Sequence, residues 1–318
     1  MKKSGVLRFI LLTLLFVTVL VGAIYWLGMI LYPKMALGMG LPPGDNISED
    51  YAQYYFGRTR RDSVDTVFIG SSHQFCSVDV NLLNREYGMN AILLTSRSQN
   101  LMLSYYGILE SVELQHPKTV VLETCDVSIG VEEPTTLAKA SFYDHMPNLS
   151  RTKWISVRAS GDPFYLYYIP LTSLHGNWGD VRLYDLKLPG RLAPGERYSY
   201  HFYLTSPLNS WSIVPENEKS QIPEGSVIWL DRIVQLCYEN GIELILYTAP
   251  YAAGSDDQKV FNALSDYAEE KGLRYYNLMH RMDEIGIDVS TDFFDPGHLN
   301  YSGQEKLTRY LAEENMIC

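Results

Sequence analysis

The sequence is expected to fold as a three-layer α/β/α protein with about five parallel strands, behind one N-terminal transmembrane helix and around a long aromatic-rich insertion. Three observations carry this expectation. Short β-branched and aromatic runs alternate with segments of helical spacing, residues 9–32 carry no charge, and the alternation lapses between Gly130 and Gln221. A strand, a helix and a second strand in succession form a right-handed crossover, so repeated alternation builds a parallel sheet covered by helices.

In chain order, residues 1–8 form a short tail, and residues 9–32 are 24 uncharged positions dominated by Leu, Val, Ile and Phe. About 20 apolar residues cross a hydrocarbon layer about 30 Å thick. Lys2, Lys3 and Arg8 precede the run, so the positive-inside rule keeps the N-terminus in the cytoplasm and sends the rest across the cell membrane as a single-pass protein. A cleaved signal peptide is the competing reading. Its apolar region is typically about 7 to 15 residues, and no clear A-x-A site followed by polar sequence stands here. Residues 33–63, with Pro33, Gly40, Pro42, Pro43 and Gly44, read as a tether and lead-in.

The globular part then opens with strand candidates at 64–69, 91–95 and 119–123, separated by helical segments at 80–87 and 101–114. These make residues 64–129 the first part of one domain. Residues 222–318 are its second part: a helix at 226–240 ended by Gly241, a strand at 242–248, a helix at 256–270 ended by Gly272, and a fifth strand at 273–277. Ser302-Gly-Gln-Glu305 has the form of a capping box and predicts a helix over 303–314. Between the halves, residues 130–221 hold fourteen aromatics, among them Tyr143, Trp154, Tyr165, Tyr167, Tyr168, Trp178, Tyr200, Tyr203 and Trp211. A segment this long is expected to fold as a cap beside the sheet. Its rings serve either as the insertion's own small core or as stacking faces for sugar rings.

Composition excludes several classes of function. The chain has 318 residues, 46% hydrophobic and 20% charged, which is globular rather than disordered or collagenous. Its 26 Lys and Arg against 37 Asp and Glu give a net charge of −11, and no basic run occurs. Such a surface repels phosphate backbones, which argues against nucleic acid as a partner. Cys76, Cys125, Cys237 and Cys318 include no C-x-x-C pair, which argues against a zinc site or a disulfide framework but leaves one bridge open, with Cys76 and Cys125 as the pair in question.

Chemistry in a parallel sheet sits where loops leave the carboxyl ends of the strands. Two such loops stand out. Phe68-Ile-Gly-Ser-Ser-His73 follows the first strand, where Gly70 permits a tight turn and Ser72 is presented as a helix begins. Asp295-Pro-Gly-His298-Leu-Asn300 precedes the final helix. An aspartate three residues before a histidine can accept the Nδ1 hydrogen and leave Nε2 free as a base.

Together these blocks resemble the SGNH (GDSL-type) hydrolase superfamily, a flavodoxin-like fold with its nucleophilic serine after the first strand and D-x-x-H before the last helix. The resemblance covers 64–126 and 222–314 and implies Ser72 as nucleophile, His298 as general base and Asp295 as its orienting carboxylate. The single anchor, the serine-rich first block and the terminal His-Leu-Asn segment are most similar to cell-envelope members related to the D-alanine-transfer protein of teichoic-acid operons and to alginate O-acetylation proteins. That implies O-acyl transfer on an envelope polysaccharide or teichoic acid, beside a membrane-bound O-acyltransferase and with no cofactor or metal. O-acetylesterase activity is the alternative, and an inactive polymer-binding scaffold is the alternative from another class.

The sequence also departs from that pattern. Ser96-Arg-Ser98-Gln99-Asn100 replaces the usual second-block glycine, and Glu123-Thr-Cys-Asp126 stands where G-x-N-D is expected. The Ser72 amide carries over as an oxyanion donor, and Ser98 through its backbone, or Gln99 or Asn100 through its side chain, is the candidate second one. His73 adjoins the nucleophile but points away from it, and is expected to line the acyl pocket or to hydrogen-bond the final loop. A metal set of His73, His145 and His298 rests on composition alone, and Asp144 and His145 are candidates to enter the site from the insertion.

Overall fold

The computed structural model describes residues 3–37, with side chains over 5–27, then 60–130, parts of 134–172 (chiefly 149–169), 201–208 and 211–317. The tether at 38–59, and with it Asp144, His145, Trp178, Tyr200 and Cys318, lies outside the described residues.

Helix α1 runs over Lys3–Leu37, longer at both ends than the uncharged stretch itself. Over Gly5–Leu27 it is long and apolar enough to cross a membrane, and none of it is buried against the rest of the chain. The domain contains strands β1 (Thr66–Gly70), β2 (Ala91–Thr95), β3 (Thr119–Glu123), β4 (Glu243–Thr248) and β5 (Arg274–Asn277). They form one sheet in the order β2-β1-β3-β4-β5, every neighbouring pair parallel. Register pairs Val67 with Ile92 and Val120, and Leu122 with Leu246. All five residues of β1 and of β2 are buried. That is why these strands read as unbroken apolar runs rather than alternating ones.

Between the strands lie α2 (Ser72–Ser77), α3 (Val80–Glu86), α4 (Leu101–Leu114), α5 (Asp126–Ile129), α6 (Arg151–Ala159), α7 (Tyr165–Tyr168), α8 (Glu224–Glu239), α9 (Ser255–Lys271) and, last, α10 (Tyr301–Glu313). Asp79 and Asn100 accept first-turn amides and so start α3 and α4, and left-handed Gly272 ends α9. The core runs from Phe68 and Ile69 through Val121 and Ile245 to Phe261 and Leu311, all fully buried. Each such side chain contributes about 1.5–3 kcal/mol of transfer free energy.

Two expectations need correction, and one open question is answered. Ser302 is not the cap of the last helix: Asn300 is, its side chain accepting the Gly303 N–H, so α10 begins at Tyr301. The Ser302 hydroxyl instead donates to Asp292 Oδ1 at 2.7 Å, and Glu305 takes Arg309. The one disulfide left open does not form, since Cys76 and Cys125 are buried free thiols, as is Cys237. The segment before α10 is a small antiparallel hairpin, β6 (Phe293–Asp295) with β7 (His298–Leu299), rather than a simple loop.

The insertion's aromatics divide between two environments. Tyr143 and Tyr167 are buried with Leu103, Tyr106 and Val157 in a second small core between α4, α6 and α7. Trp154, Tyr165 and Tyr203 stay exposed. Residues 201–208 lie along the final hairpin, where Ser206 N donates to Phe293 O and Tyr301 N to Phe202 O.

Candidate functional site

In the 2-1-3-4-5 order, the connections from β1 and β3 leave in opposite directions, which opens a crevice at their carboxyl ends. Gly70 closes β1 there. A Cβ on it would lie 3.0 Å from Gln74 Cβ and 3.1 Å from Glu123 Cβ, so the glycine lets the turn into α2 press against the end of β3. Ser71 precedes α2 with extended backbone, and Ser72 opens the helix. A helix's first-turn amides lack intrahelical acceptors, so the Ser72 N–H lies among groups suited to a developing negative charge.

The final hairpin brings its pair to the same place. Asp295 and His298 face each other across the β6–β7 turn. The Asp295 carboxylate accepts from the Gly297 amide at 2.8 Å and lies 2.8 and 3.0 Å from His298 Nδ1. His298 Nε2 is 2.8 Å from Ser72 Oγ. Asn300 holds the far side of the hairpin, donating to Thr291 O at 2.7 Å, and Pro296 O accepts the Ala252 amide at 2.8 Å. The turn is therefore fixed from both sides. Ser72, Asp295 and His298 are each partly exposed, so the chain of hydrogen bonds reaches the surface.

Electrostatics favour a charged Asp295. Burial raises its pKa, but the His298 imidazole and the Gly297 and His298 amides outweigh this and hold it below the usual carboxylate range. That stabilisation is present above the ordinary value of 3.8 and is lost as pH falls through the lowered one. His73 packs between Tyr251 and His298, with ring centroids 4.3 and 5.1 Å away. Burial, and then repulsion from His298, push its pKa down to about 3. A neutral His73 places no charge beside the His298 ring.

The candidate oxyanion residues separate. Gln99 is fully buried and committed: its Oε1 accepts from Ser96, and its Nε2 donates to Leu94 O and Ser104 Oγ. Both amide hydrogens are thus spent on the end of β2 and the first turn of α4. The Asn100 side chain caps α4. Ser98 is exposed, with φ of +50°, a left-handed conformation in the β2–α4 loop.

Sequence reasoning did not single out the buried acid packed against Gly70. Glu123, buried at the end of β3, accepts from the amides of Cys125 and Ala249, tying the ends of β3 and β4 together. Ser71 Oγ lies 3.2 Å from Cys125 Sγ. Burial raises Glu123 to about 7, and burial together with Glu123 raises Asp126 to about 8. Two acids at a strand end where G-x-N-D was expected were the available signal. Tyr251 gave none, since its tilted ring contact with His73 depends on long-range packing. Among the described residues no cluster of three or more His, Cys, Asp or Glu could hold a metal ion. Both ring nitrogens of His298 are engaged by Ser72 and Asp295.

The arrangement can remove a proton from Ser72 Oγ and return it to a leaving oxygen along one line of hydrogen bonds. The chain matches no protein-family model, no curated protein and no solved structure.

Proposed function

We propose that this chain is a membrane-anchored, extracytoplasmic serine enzyme of the SGNH type, a three-layer α/β/α domain that moves an O-acyl group, acetyl or D-alanyl, onto a cell-envelope polysaccharide or teichoic acid beside a membrane-bound O-acyltransferase. One observation carries it: the unbroken hydrogen-bonded line Ser72 Oγ, His298 Nε2, His298 Nδ1, Asp295 carboxylate. The strand order, with Ser72 at the switch point, supports the fold assignment. The apolar α1 supports the anchor, and Lys2, Lys3 and Arg8 support its orientation.

In this mechanism His298 Nε2 takes the hydroxyl proton as Ser72 Oγ attacks an ester carbonyl. Asp295 holds the proton on Nδ1 and stabilises the imidazolium. The Ser72 amide faces the developing oxyanion. His298 then returns the proton to the departing alcohol, leaving an acyl-serine, and the same base activates the second nucleophile. A sugar or polyol hydroxyl in that role makes a transferase, and water makes an esterase.

The test is a transfer assay with the full-length chain in detergent or vesicles, a small activated acetyl ester as donor and a purified envelope polymer as acceptor. Acetyl groups on the polymer that disappear with Ser72→Ala support the proposal. Ester consumed without polymer acetylation corrects it to an esterase, and no ester consumption at all overturns it in favour of a non-catalytic polymer-binding subunit.

A further inference from the structure

Helices α6 and α7 present a face that neither the sheet nor the site uses. On α6, Thr152, Lys153, Ser156 and Val157 turn inward, while Arg151, Trp154, Ile155 and Arg158 turn outward. Trp154 is 47% exposed and Ile155 39%, and beside them Phe164 is 57% and Tyr165 45% exposed. The Trp154 ring meets Tyr168 of α7 at 6.4 Å, and the Arg158 guanidinium lies over it at 5.9 Å. The exposed residues of 151–159 include two arginines, Arg151 and Arg158, and no acidic residue, in a chain of net charge −11. Exposed amphipathic rings interleaved with arginine are costly in water and stable at a membrane–water boundary.

The position of this face is equally specific. The chain arriving from the anchor joins the domain at the end of α4: Asp62 N donates to Leu114 O, Ser63 N to Gln115 Oε1, and Arg61 to Glu113 O. α6 hangs from the same helix one turn earlier, where Ser150, its N-cap, donates to Glu110 at 2.6 Å. At 1.5 Å per residue the two attachments are about 6 Å apart along α4. The other end of α4, at Asn100, follows β2 at the carboxyl edge of the sheet, where Ser72 lies. The 14 residues of α4 separate those ends by about 21 Å.

We propose that the exposed aromatic and arginine face of α6 and α7 seats on the surface of the bilayer that α1 enters, holding the domain in one orientation beside it. This rests on the reading of α1 as a membrane anchor.

The test uses the full-length chain in nanodiscs of phosphatidylglycerol and phosphatidylethanolamine, with a nitroxide on Phe164→Cys or, as control, on Tyr238→Cys, which is 81% exposed on α8. Both variants carry Cys318→Ser, and the three other thiols are buried. A ring seated about 5 to 10 Å into the headgroup region should raise the ratio of oxygen to nickel-chelate accessibility at position 164 at least about threefold over position 238. Adding Arg151→Glu and Arg158→Glu should erase the difference. Equal ratios at the two positions, in chains that co-elute with the discs, overturn the proposal while leaving the anchor intact. Shielding of position 164 from both reagents also overturns it, because protein then covers the face. Chains that do not co-elute with discs overturn the anchor reading, and the proposal with it.

Discussion

Replacing Asp295 by asparagine separates orientation of the base from mere packing. Oδ1 accepts the Gly297 amide at 2.8 Å and lies 2.8 Å from His298 Nδ1, while Oδ2 lies 3.0 Å from the same nitrogen. In Asp295→Asn the Gly297 N–H keeps the carbonyl oxygen at the Oδ1 position, which puts the new NH₂ in place of Oδ2. An N–H facing Nδ1 favours the tautomer with its hydrogen on Nε2. That nitrogen then donates to Ser72 Oγ and can no longer accept its proton. The charge that stabilised the imidazolium is lost in the same substitution. The expected loss in turnover of a small acetyl ester is up to about ten-thousandfold, or about 5.4 kcal/mol at 1.36 kcal/mol per decade. Thermal unfolding, followed by circular dichroism, should change little, because the backbone bond to Gly297 survives. Turnover within about tenfold of the parent, in a folded protein, would refute the reasoning.

Other substitutions probe the neighbouring groups. Ser71→Ala gives up a 3.2 Å contact with a thiol and a hydrogen bond to the Asp126 carboxyl, at about 0.5–1.5 kcal/mol each, so it should keep ester turnover while Ser72→Ala abolishes it; the reverse pattern would place the nucleophile one residue earlier. Gly303→Ala would bring a Cβ to 2.5 Å from Asp292 O, a backbone atom one residue before β6 begins. Overpacking of this kind costs about 1–3 kcal/mol, and both the melting temperature and turnover should fall, whereas an unchanged melt would contradict the packing. Glu123 is raised to about 7 from an ordinary 4.5, so the folded chain holds a proton that the unfolded chain releases, and stability should fall as pH rises through that window. Glu123→Gln keeps an acceptor for the Cys125 and Ala249 amides and should flatten the slope of melting temperature between pH 4.5 and 7; an unaltered slope would show that Glu123 is not the group involved.

The sheet was legible because β1 to β4 are buried on both faces over almost their whole length. Residues 91–95, 101–114 and 119–123 form elements with the same limits that their spacing suggested. Ser72, Asp295 and His298 were legible because each lies in a short local motif at a strand end. What escaped depends on distant partners. Asn300 and Ser302 are both good N-cap residues, and the choice between them is made by Asp292, ten residues before Ser302, which takes the Ser302 hydroxyl and leaves Asn300 to the helix. Gln99 is a natural donor by type, but its amide is consumed by the end of β2 and the first turn of α4. Glu123 acts through Ala249, 126 residues away, and His73 through Tyr251. No periodicity records such pairings.

The central claim is that Ser72 is an activated nucleophile, and labelling tests it most directly. The full-length chain is treated at pH 7 with a fluorophosphonate and the adduct is located by peptide mass spectrometry. One adduct, on Ser72, lost in His298→Ala and retained in Ser71→Ala, is the expected result. An unlabelled Ser72 in folded protein would contradict the claim, because the 2.8 Å contact with His298 would then be a structural hydrogen bond and nothing more.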